Sequence, residues 1–396
     1  MAGGGRDTMK RVLVYYRHFT TLGGAEFLPL TFISELQKTC DVTLALDCTS
    51  NVGTAMREFN IRLDLSKLKI VQVMPADYRT TDSGFSLSFY RFRRLKRLAK
   101  DADICISLAN IMDFGKPAHH FLIAVDLGDK AFLNYVRNGA GPSRVPWTKR
   151  VRWFLLDECV RPLLGMRSKR KIISRAKEPI YPNSFYVENM IKRFYGPCNS
   201  RVFYPPTVFE FGMKDVPRNP LHVVYLGRIV PEKRVADIIG IVGRARALSG
   251  RDILLSIAGH WGSKEFKEEI MRLTAGKNWI VFPGEVFGGK KESLLLSATY
   301  AIHAMREEAF GISIAEYLKA GLIPVVPDEG GSCEVVGNPE LSFRTNEEAA
   351  DILVRLLDDP EFRERQRRLC GERAKLFSED AFRRRQHDLL KEITGT

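Results

Sequence analysis

Residues 11–46 of the chain read RVLVYYRHFTTLGGAEFLPLTFISELQKTCDVTLAL. The run Arg11–Tyr16 is rich in β-branched and aromatic residues and predicts a buried strand. Residues Ala25–Lys38 carry apolar side chains at helical spacing, and Val42–Leu46 predicts a second strand. A strand, a helix and a strand in close succession begin a βαβ unit, which implies a parallel sheet.

The same alternation continues along the chain. Further strands are predicted at Ile70–Val73, Ile104–Leu108, Phe121–Val125 and Lys171–Ser174, with helices at Phe89–Ala99 and Tyr186–Tyr195. The segment Tyr204–Pro220 is rich in proline and lacks apolar periodicity, which is typical of a linker between domains. After it, strands are predicted at His222–Leu226, Leu254–Ala258, Ile280–Phe282, Ala301–Ala304 and Ile323–Pro327, with helices between them.

We therefore predict an α/β chain with two doubly wound, Rossmann-like parallel-sheet domains. The first occupies residues 9–207, the linker 208–220 and the second 221–375. A length of 396 residues suits two domains of roughly 150–200 residues each. Such sheets bind ligands outside the carboxyl ends of their strands, so two of them are expected to face a ligand-binding cleft.

Composition indicates a cytoplasmic location. No apolar stretch approaches the ~18–20 residues of a membrane-spanning helix, and Met1–Met9 is polar and lacks the apolar core of a secretory signal. The seven cysteines are scattered and form no C-x-x-C pair, which favours a reducing compartment over a disulfide framework or a zinc site.

The net charge of +14, from 61 basic and 47 acidic residues, predicts a polyanionic partner. Basic residues cluster with apolar ones in residues 90–100 and 149–171. These clusters are either amphipathic surfaces for an anionic membrane or solvated helix faces, and the sequence favours neither. No known nucleic-acid-binding module is present, so we expect no nucleic-acid partner.

The segment Glu308–Glu316, EAFGISIAE, is the sharpest candidate for a functional site. Phe310-Gly311 is predicted to mark a turn into a helix, with Glu308 on the loop and Glu316 about one turn inside the helix. The free amides of Gly311, Ile312 and Ser313 would suit an anion such as a diphosphate. The two carboxylates suit sugar hydroxyls, which donate hydrogen bonds to them.

A second candidate site is Leu226–Lys233, LGRIVPEK, directly after the first strand of the second domain. Gly227 would allow a tight turn, and Arg228 and Lys233 could both reach phosphate oxygens. A basic loop that caps a helix is an equally good interpretation of this segment taken alone. A nicotinamide cofactor is not expected, because neither domain shows G-x-G-x-x-G after a strand.

These two segments, in this order, resemble the retaining family-four glycosyltransferases of the GT-B fold. The segment Gly23-Gly24-Ala25-Glu26 resembles their N-terminal glycine loop, and residues 330–334, GGSCE, resemble the glycine turn after the next strand. The sequence of Ile302–Gly321 is similar to that of family members that elongate lipid-linked oligosaccharides. The resemblance implies that a final helix, residues 376–396, packs back on the first domain.

The resemblance also implies roles for matching positions. Arg228 and Lys233 would hold the donor diphosphate, and Glu316 the ribose hydroxyls. Glu308, Phe310, Gly311 and Ile312 would line the sugar and phosphate. Gly23 and Gly24 would approach the phosphates from the first domain. Many relatives place a histidine after an N-domain strand; here that position is Asp126, which would replace it, with His119 and His120 close by.

The implied chemistry is hexose transfer, with mannose as one candidate, from a GDP- or UDP-sugar to a saccharide or lipid-linked acceptor, with retention of configuration. We expect no cofactor and no metal: the one Asp-x-Asp triplet, Asp101-Ala102-Asp103, precedes a strand and lies at the wrong end of the sheet. Arg228, Lys233 and the helix amides would stabilise the leaving group instead. The alternatives are an epimerase or hydrolase of the same fold, or a non-catalytic membrane-surface protein.

Overall fold

Two parallel β-sheets organise the computed structural model, which describes residues 9–20, 24–49, 51–80, 84–123, 132, 147–207 and 217–395. Each sheet belongs to one of two units. The first unit comprises Met1–Val208 and Phe382–Thr396, and the second comprises Phe209–Ala381. None of the helices in the described residues is both long enough and apolar enough to cross a bilayer.

The first sheet has six strands in the order β3-β2-β1-β4-β5-β6, and all neighbours run parallel. They are β1 (Lys10–Tyr16), β2 (Cys40–Leu46), β3 (Leu68–Gln72), β4 (Ile104–Ser107), β5 (His119–Leu122) and β6 (Ile180–Pro182). The last five residues of β1 are all buried, because helices cover both faces of a parallel sheet. This explains why β1 is a continuous apolar run rather than an alternating one.

The helices of the described residues before position 200 include α1 (Gly24–Leu36), α2 (Val52–Glu58), α3 (Phe85–Leu98), α4 (Trp147–Phe154) and α5 (Phe185–Tyr195). The helix α4 continues as a π-helical turn, Leu155–Val160, and a last turn, Arg161–Leu163. A second π-helical turn spans Lys171–Arg175.

The predicted strand Lys171–Ser174 is wrong, since this segment is the second π-helical turn. Ile172 and Ile173 are both buried, and a short apolar run of this kind does not distinguish a strand from a buried helical turn. The sixth strand is the short β6, which was not predicted. The strand predicted at Phe121–Val125 begins earlier, at His119, and its last two residues lie outside the described part of the chain.

The second sheet also has six parallel strands, in the order β12-β11-β10-β7-β8-β9. They are β7 (Asn219–Leu226), β8 (Leu254–Ala258), β9 (Ile280–Gly284), β10 (Ala298–Ile302), β11 (Ile323–Pro327) and β12 (Ser342–Phe343). Its helices are α6 (Val235–Ser249), α7 (Lys264–Leu273), α8 (Gly288–Ser297), α9 (Ile312–Lys319), α10 (Gly331–Val336), α11 (Asn346–Asp358) and α12 (Pro360–Ala374). A 3-10 turn spans Pro231–Lys233.

The last helix, α13 (Glu379–Thr394), follows a 3-10 turn at Lys375–Phe377. From Phe382 onward it belongs to the first unit. The Phe382 ring lies 5.8 Å from that of Phe203, and Glu392 pairs with Arg201 at 2.9 Å. The predicted return of the C-terminal helix to the first unit is thereby confirmed.

Both sheets have the strand order 3-2-1-4-5-6 when their strands are counted within each unit. This is the order of doubly wound Rossmann folds, and the predicted fold class is confirmed. The order reverses between β1 and β4 in the first sheet and between β7 and β10 in the second. Ligands of such sheets bind at this reversal, outside the carboxyl ends of the strands.

Candidate functional site

The candidate site of the second unit is built on the loops after β7 and β10, the two strands at the reversal. The first loop carries Gly227 and Arg228, and the second carries His303 and Glu308. Helix α9 follows the second loop. The hydroxyl of Tyr317 on α9 accepts a hydrogen bond from the amide of Leu226 at 2.6 Å, which ties this helix to the end of β7.

Close backbone packing shapes the loop after β7. The amide of Gly227 donates to the carbonyl of Ala258 at 3.0 Å. A Cβ at Gly259 would lie 1.8 Å from the carbonyl oxygen of Gly227, and a Cβ at Gly227 would lie 2.8 Å from the Tyr225 hydroxyl. Gly227 does not adopt a positive φ. The glycines here therefore provide space for neighbouring backbone segments, and Gly227 lies at a bend of the chain.

Lys233 ends the 3-10 turn Pro231–Lys233 and points back to the loop after β10. Its Nζ atom donates to Oε2 of Glu308, and both side chains are largely buried, with 16% and 15% of their surface exposed. The two residues are 75 positions apart in sequence. Lys233, a predicted phosphate-binding residue, is therefore in contact with Glu308, the first carboxylate of the predicted sugar-binding segment.

Arg228 is exposed, and its side chain makes no ion pair with any residue in the described part of the chain. Its carbonyl accepts the hydroxyl of Tyr225 at 2.9 Å, which anchors its backbone. Burial raises the pKa of Tyr225. The negative charge of Glu308 raises this pKa further, and the positive charge of Arg228 lowers it. A guanidinium held at the end of β7 without a carboxylate partner is suited to an incoming anion.

Glu308 also contacts His303, whose Nε2 atom lies 3.2 Å from Oε2. The imidazole is 1% exposed, and neither ring nitrogen has a well-aligned hydrogen-bond partner among the described residues. Burial lowers the pKa of His303 below its usual 6.5, so the ring is neutral at pH 7. Burial opposes the ionisation of Glu308, but the His303 contact and the charge of Lys233 outweigh it and lower the pKa of this carboxyl. Glu308 is therefore an ionised, partly buried acceptor.

Two further glycines hold the loop that carries Glu308. The amide of Gly331 donates to the carbonyl of Glu308 at 2.6 Å. Gly330 has φ +87, and a Cβ there would lie 2.2 Å from the carbonyl oxygen of Arg306. The glycine turn thus lies directly on the backbone of the Glu308 loop and determines its position.

Helix α9 begins immediately after this loop. Its N-cap is Gly311, with φ +95, which supplies no side-chain cap. The first-turn amides of Ile312 and Ser313 precede the helical hydrogen-bond ladder and are left for another acceptor. Phe310 is buried and packs edge-on against Phe377 at 5.8 Å, so the helix start is rigid.

Glu316 lies in the second turn of α9 and is buried. Its Oε1 atom accepts a hydrogen bond from Nζ of Lys291 on α8 at 2.7 Å. The two predicted carboxylates thus lie one before and one within the same helix, each paired with a lysine. Sequence reasoning placed Glu316 correctly about one turn inside the helix but did not find its partner.

The structure therefore brings Lys233 and Glu308 into contact and places Phe310, Gly311, Ile312 and Glu316 in the segment that follows. Gly24 starts α1 in the first unit, where only its backbone is described. Gly23 and Asp126 lie outside the described residues. Three residues were missed as site members: His303, Lys291 and Tyr317. The position of His303 directly after a central strand was a usable signal, whereas the two others depend on tertiary contacts.

Asp103 of the Asp-x-Asp triplet pairs with Arg11 at 3.1 Å, near the amino ends of β1 and β4. This is the end of the sheet opposite to the ligand end, as predicted. Within the described residues, no group of three or more histidine, cysteine or acidic side chains is placed to hold a metal ion. A surface cavity of the second unit, about 720 Å³ between Arg355 and Arg368, is lined by none of the site residues.

Comparison with known proteins identifies one domain and the fold. Residues 210–375 match the family described as glycosyl transferases group 1. The structure of Anabaena Alr3699/HepE in complex with UDP-glucose has the same fold, with a TM-score of 0.63 at 14% identity, covering 96% of this chain and 99% of that one. The chain thus has the two-sheet GT-B fold of this glycosyltransferase structure. More particularly, residues 210–375 form a glycosyltransferase group 1 domain.

Two curated relatives are similar in sequence. The uncharacterized glycosyltransferase YqgM of Bacillus subtilis is 24% identical over 210 residues, which cover 52% of this chain and 57% of that protein. The GDP-Man:Man(3)GlcNAc(2)-PP-Dol alpha-1,2-mannosyltransferase of Yarrowia lipolytica is 27% identical over 159 residues, 37% of this chain and 24% of that protein. The matches span about half of the first relative and about a quarter of the second.

Proposed function

We propose that the protein transfers a hexose from a nucleoside diphosphate sugar to a saccharide or lipid-linked acceptor, with retention of configuration and without a metal ion. The observation that carries the proposal is the contact of Lys233 and His303 with the ionised Glu308 on the loop before α9. Arg228, which makes no ion pair with a described residue, lies on the loop after β7. Cations and free amides suit a diphosphate, and carboxylates suit sugar hydroxyls.

The proposed mechanism assigns a charge-stabilising role to each group. Glycosyl transfer passes through an oxocarbenium-like state while the nucleoside diphosphate leaves with increasing negative charge. Arg228, Lys233 and the amides of Ile312 and Ser313 would stabilise this charge. When the donor binds, the ammonium group of Lys233 would leave Glu308 and bind a phosphate oxygen. His303 would then keep the Glu308 carboxylate in place. In front-face attack, the leaving phosphate would take the proton of the acceptor hydroxyl.

The donor is a GDP- or UDP-sugar in this proposal. The name of the Yarrowia relative includes GDP-mannose, and the Anabaena structure contains UDP-glucose. Glu316 would accept hydrogen bonds from the ribose hydroxyls of the donor. Its Oε1 atom is bound by Lys291, and its Oε2 atom would receive them. Mannose is the sugar that we propose to test first.

A panel of UDP-, GDP- and ADP-sugars should identify the donor through thermal stability. A donor at 100 times its Kd stabilises the native state by about 2.7 kcal/mol. In Arg228→Gln we expect the Kd of that donor to rise about 10- to 100-fold, since a charge-assisted hydrogen bond contributes about 1.5–3 kcal/mol. The unliganded protein should be unaffected, because the side chain is exposed.

Arg272→Gln, an exposed arginine on α7, is the matched control and should bind the donor normally. If no nucleotide sugar stabilises the protein, or if Arg228→Gln binds like the control, the proposal fails. Radiolabelled donor incubated with and without acceptor distinguishes transfer from the epimerase or hydrolase alternative. Donor consumption that does not depend on acceptor would support that alternative.

A peripheral association with the cytoplasmic face of an anionic membrane is a second proposal. It rests on exposed side chains of α4 and of the segment after it, here called the α4 surface: the apolar Trp147, Phe154 and Leu163 and the basic Arg152 and Lys171. The three apolar side chains are 72%, 62% and 86% exposed, and both basic residues are exposed. Exposed aromatic and aliphatic side chains interleaved with cations are typical of helices that lie on anionic lipid.

Not all of the predicted basic clusters contribute to such a surface. Arg91 pairs with the buried Asp47 at 2.8 Å, and Arg167 pairs with Asp113 at 2.8 Å, so both cations are bound within the unit. Arg93, Lys96, Arg97 and Lys100 are exposed, so a basic surface at residues 90–100 stays a prediction beside the α4 surface.

The double variant Phe154→Asp/Leu163→Asp is expected to weaken binding to phosphatidylcholine–phosphatidylserine vesicles at least tenfold. Burying one such side chain contributes about 1.5–3 kcal/mol, and 1.4 kcal/mol corresponds to about a factor of ten. Vesicle sedimentation measures the effect. Phe287→Asp, an equally exposed aromatic residue in the second unit, serves as the control. Equal vesicle binding by the double variant and the control would contradict the proposal.

A further inference from the structure

Two nitrogen-bearing side chains meet the same oxygen atom of Glu308. Nζ of Lys233 donates a hydrogen bond to Oε2, and Nε2 of His303 lies 3.2 Å from that atom. The lysine bond is well aligned, whereas the imidazole contact is not. Because both groups use one acceptor, the departure of Lys233 would leave this oxygen to His303.

The imidazole of His303 is buried without a hydrogen bond that satisfies it. It is 1% exposed, and neither Nδ1 nor Nε2 has a well-aligned partner among the described residues. The backbone of the same residue is held firmly, since its amide donates to the carbonyl of Val325 at 3.0 Å. A buried polar group without a partner is costly and points to a role in another state of the site.

Two charged groups act on this imidazole in opposite directions. Burial lowers the pKa of His303 most, the negative charge of Glu308 raises it, and the positive charge of Lys233 lowers it. Lys233 therefore opposes protonation of the ring, and Glu308 favours it. While Lys233 stays paired with Glu308, burial prevails and the ring is neutral at pH 7.

The other neighbours of the imidazole and of the Glu308 carboxylate contribute no charge. The ring of Tyr225 on β7 stacks on the imidazole, with 6.3 Å between the ring centroids and 22° between the planes. Burial raises the pKa of Tyr225 and of Tyr317 on α9, so both phenols are neutral at pH 7. The strand β11, which accepts the His303 amide, carries no titratable residue. The protonation of His303 thus depends on Lys233 and Glu308.

Donor binding would reverse the balance between these two charges. In the proposed function, Lys233 leaves Glu308 for a phosphate oxygen of the nucleotide sugar. The phosphate then neutralises the ammonium group, and Glu308 is left as a buried carboxylate without a cation, which is strongly unfavourable. A protonated imidazole supplies the missing charge from a position that is already 3.2 Å away.

We propose that His303 is a positioning residue that takes up a proton when the nucleotide sugar binds and then replaces Lys233 as the cation that holds Glu308. This inference rests on the proposed function, because the donor phosphate must draw Lys233 away. The proton comes from solvent and joins the imidazole, and no bond of the donor is broken in this step. Nε2 then donates to Oε2 of Glu308, and the carboxylate keeps both its charge and its position.

Calorimetry of donor binding in buffers of different ionisation enthalpy measures the proton uptake. At pH 7 we expect the wild-type protein to take up about half a proton or more per donor bound. The Kd should rise about tenfold between pH 6 and pH 8, because the protonated ring favours the bound state and is lost as the pH rises. A nucleotide sugar is a suitable probe, since both of its phosphates are esterified and exchange no proton in this range.

His303→Gln is expected to bind the donor without proton uptake. The amide keeps a hydrogen-bond donor for Glu308 but cannot be protonated, so the Kd should change less than about twofold between pH 6 and pH 8. His303→Leu removes the hydrogen bond as well and should lower kcat at least about tenfold, an effect that His303→Gln largely rescues. His222→Gln is the control: His222 is buried on β7, where it bonds to Ser256 at 2.8 Å, and its loss should leave the uptake unchanged.

Absence of proton uptake in the wild-type protein overturns the proposal, as does equal uptake in His303→Gln and His222→Gln. If His303→Gln fails to fold, Glu308→Gln takes its place, because the imidazole cannot hold the proton without the carboxylate. Uptake that persists in Glu308→Gln overturns the proposal as well.

A titration of His303 by nuclear magnetic resonance tests the same linkage without a donor. In Lys233→Gln the opposing cation is absent, so His303 should titrate about one pH unit higher than in the wild-type protein, or more. An unchanged titration overturns the inference whether or not a donor binds. If no nucleotide sugar binds, the proposed function fails, and this titration still decides whether Lys233 controls the protonation of His303.

Discussion

Glu308→Gln is expected to lower the rate of sugar transfer about 100- to 1,000-fold, because the carboxylate would stabilise the positive charge of the oxocarbenium-like sugar. The amide keeps the size of the side chain but loses the charge that pairs with Lys233 and contacts His303. The loss should appear in kcat, measured with the donor that the thermal panel identifies. Glu307→Gln, the adjacent half-buried glutamate, is the matched control and should keep its activity within about threefold.

The same variant should change the dependence of stability on pH. The folded-state pKa of Glu308 is lowered from 4.5, so its ionisation stabilises the wild-type protein above about pH 4.5. This contribution is lost as the pH falls from 4.5 through the lower folded-state pKa. Glu308→Gln should be less stable at pH 7 by about 3–5 kcal/mol, because Lys233 is left buried without its partner. The difference should shrink towards pH 3, and a constant difference would show that Glu308 is not ionised in the folded protein.

Gly330→Ala is expected to reduce both stability and activity. A Cβ at this position would lie 2.2 Å from the carbonyl oxygen of Arg306, at a φ of +87 that disfavours a side chain. The combined clash and strain should cost about 2–4 kcal/mol. For a domain of this size that corresponds to a Tm lower by about 5–15 °C. Activity should fall because the loop from Arg306 to Phe310 carries Glu308.

Gly371→Ala provides the control for this prediction. Gly371 lies within α12, and no atom approaches the position of an added Cβ within 4 Å. The substitution should raise stability by about 0.5–1 kcal/mol, because alanine is the better helix former. Calorimetry measures both variants. A Tm for Gly330→Ala that matches the control would show that the glycine turn does not determine the position of the loop.

Much of the secondary structure of this protein could be predicted from short segments of its sequence. The alternation of apolar strands and amphipathic helices predicted both parallel sheets, because the periods of 2.0 and 3.6 residues arise within single elements. The segment Glu308–Glu316 predicted a loop, a turn and a helix, and α9 begins at Ile312. The failure at Lys171–Ser174 has the same origin, since its two apolar residues, Ile172 and Ile173, do not cover a full helical period.

The ion-pair partners of the site residues could not be predicted in this way, because they are remote in sequence. Glu308 is paired by a lysine 75 positions away, and Glu316 by a lysine 25 positions away. The charge of Arg91 is neutralised by Asp47, 44 positions before it, so the basic clusters could not be assigned from composition. A cavity in the first unit combines residues from α3, from the loops after β1 and β4 and from the π-helical region.

The chain therefore specified its fold class, the two sheets and the position of the Glu308 loop through local periodicity and turn residues. The folded protein alone decided which cation meets which carboxylate, where His303 lies and which arginines remain available to ligands. The physical reason is that pairing, burial and the resulting pKa changes depend on distances between elements that are remote in sequence. Those distances exist only once the strands have assembled in the order 3-2-1-4-5-6.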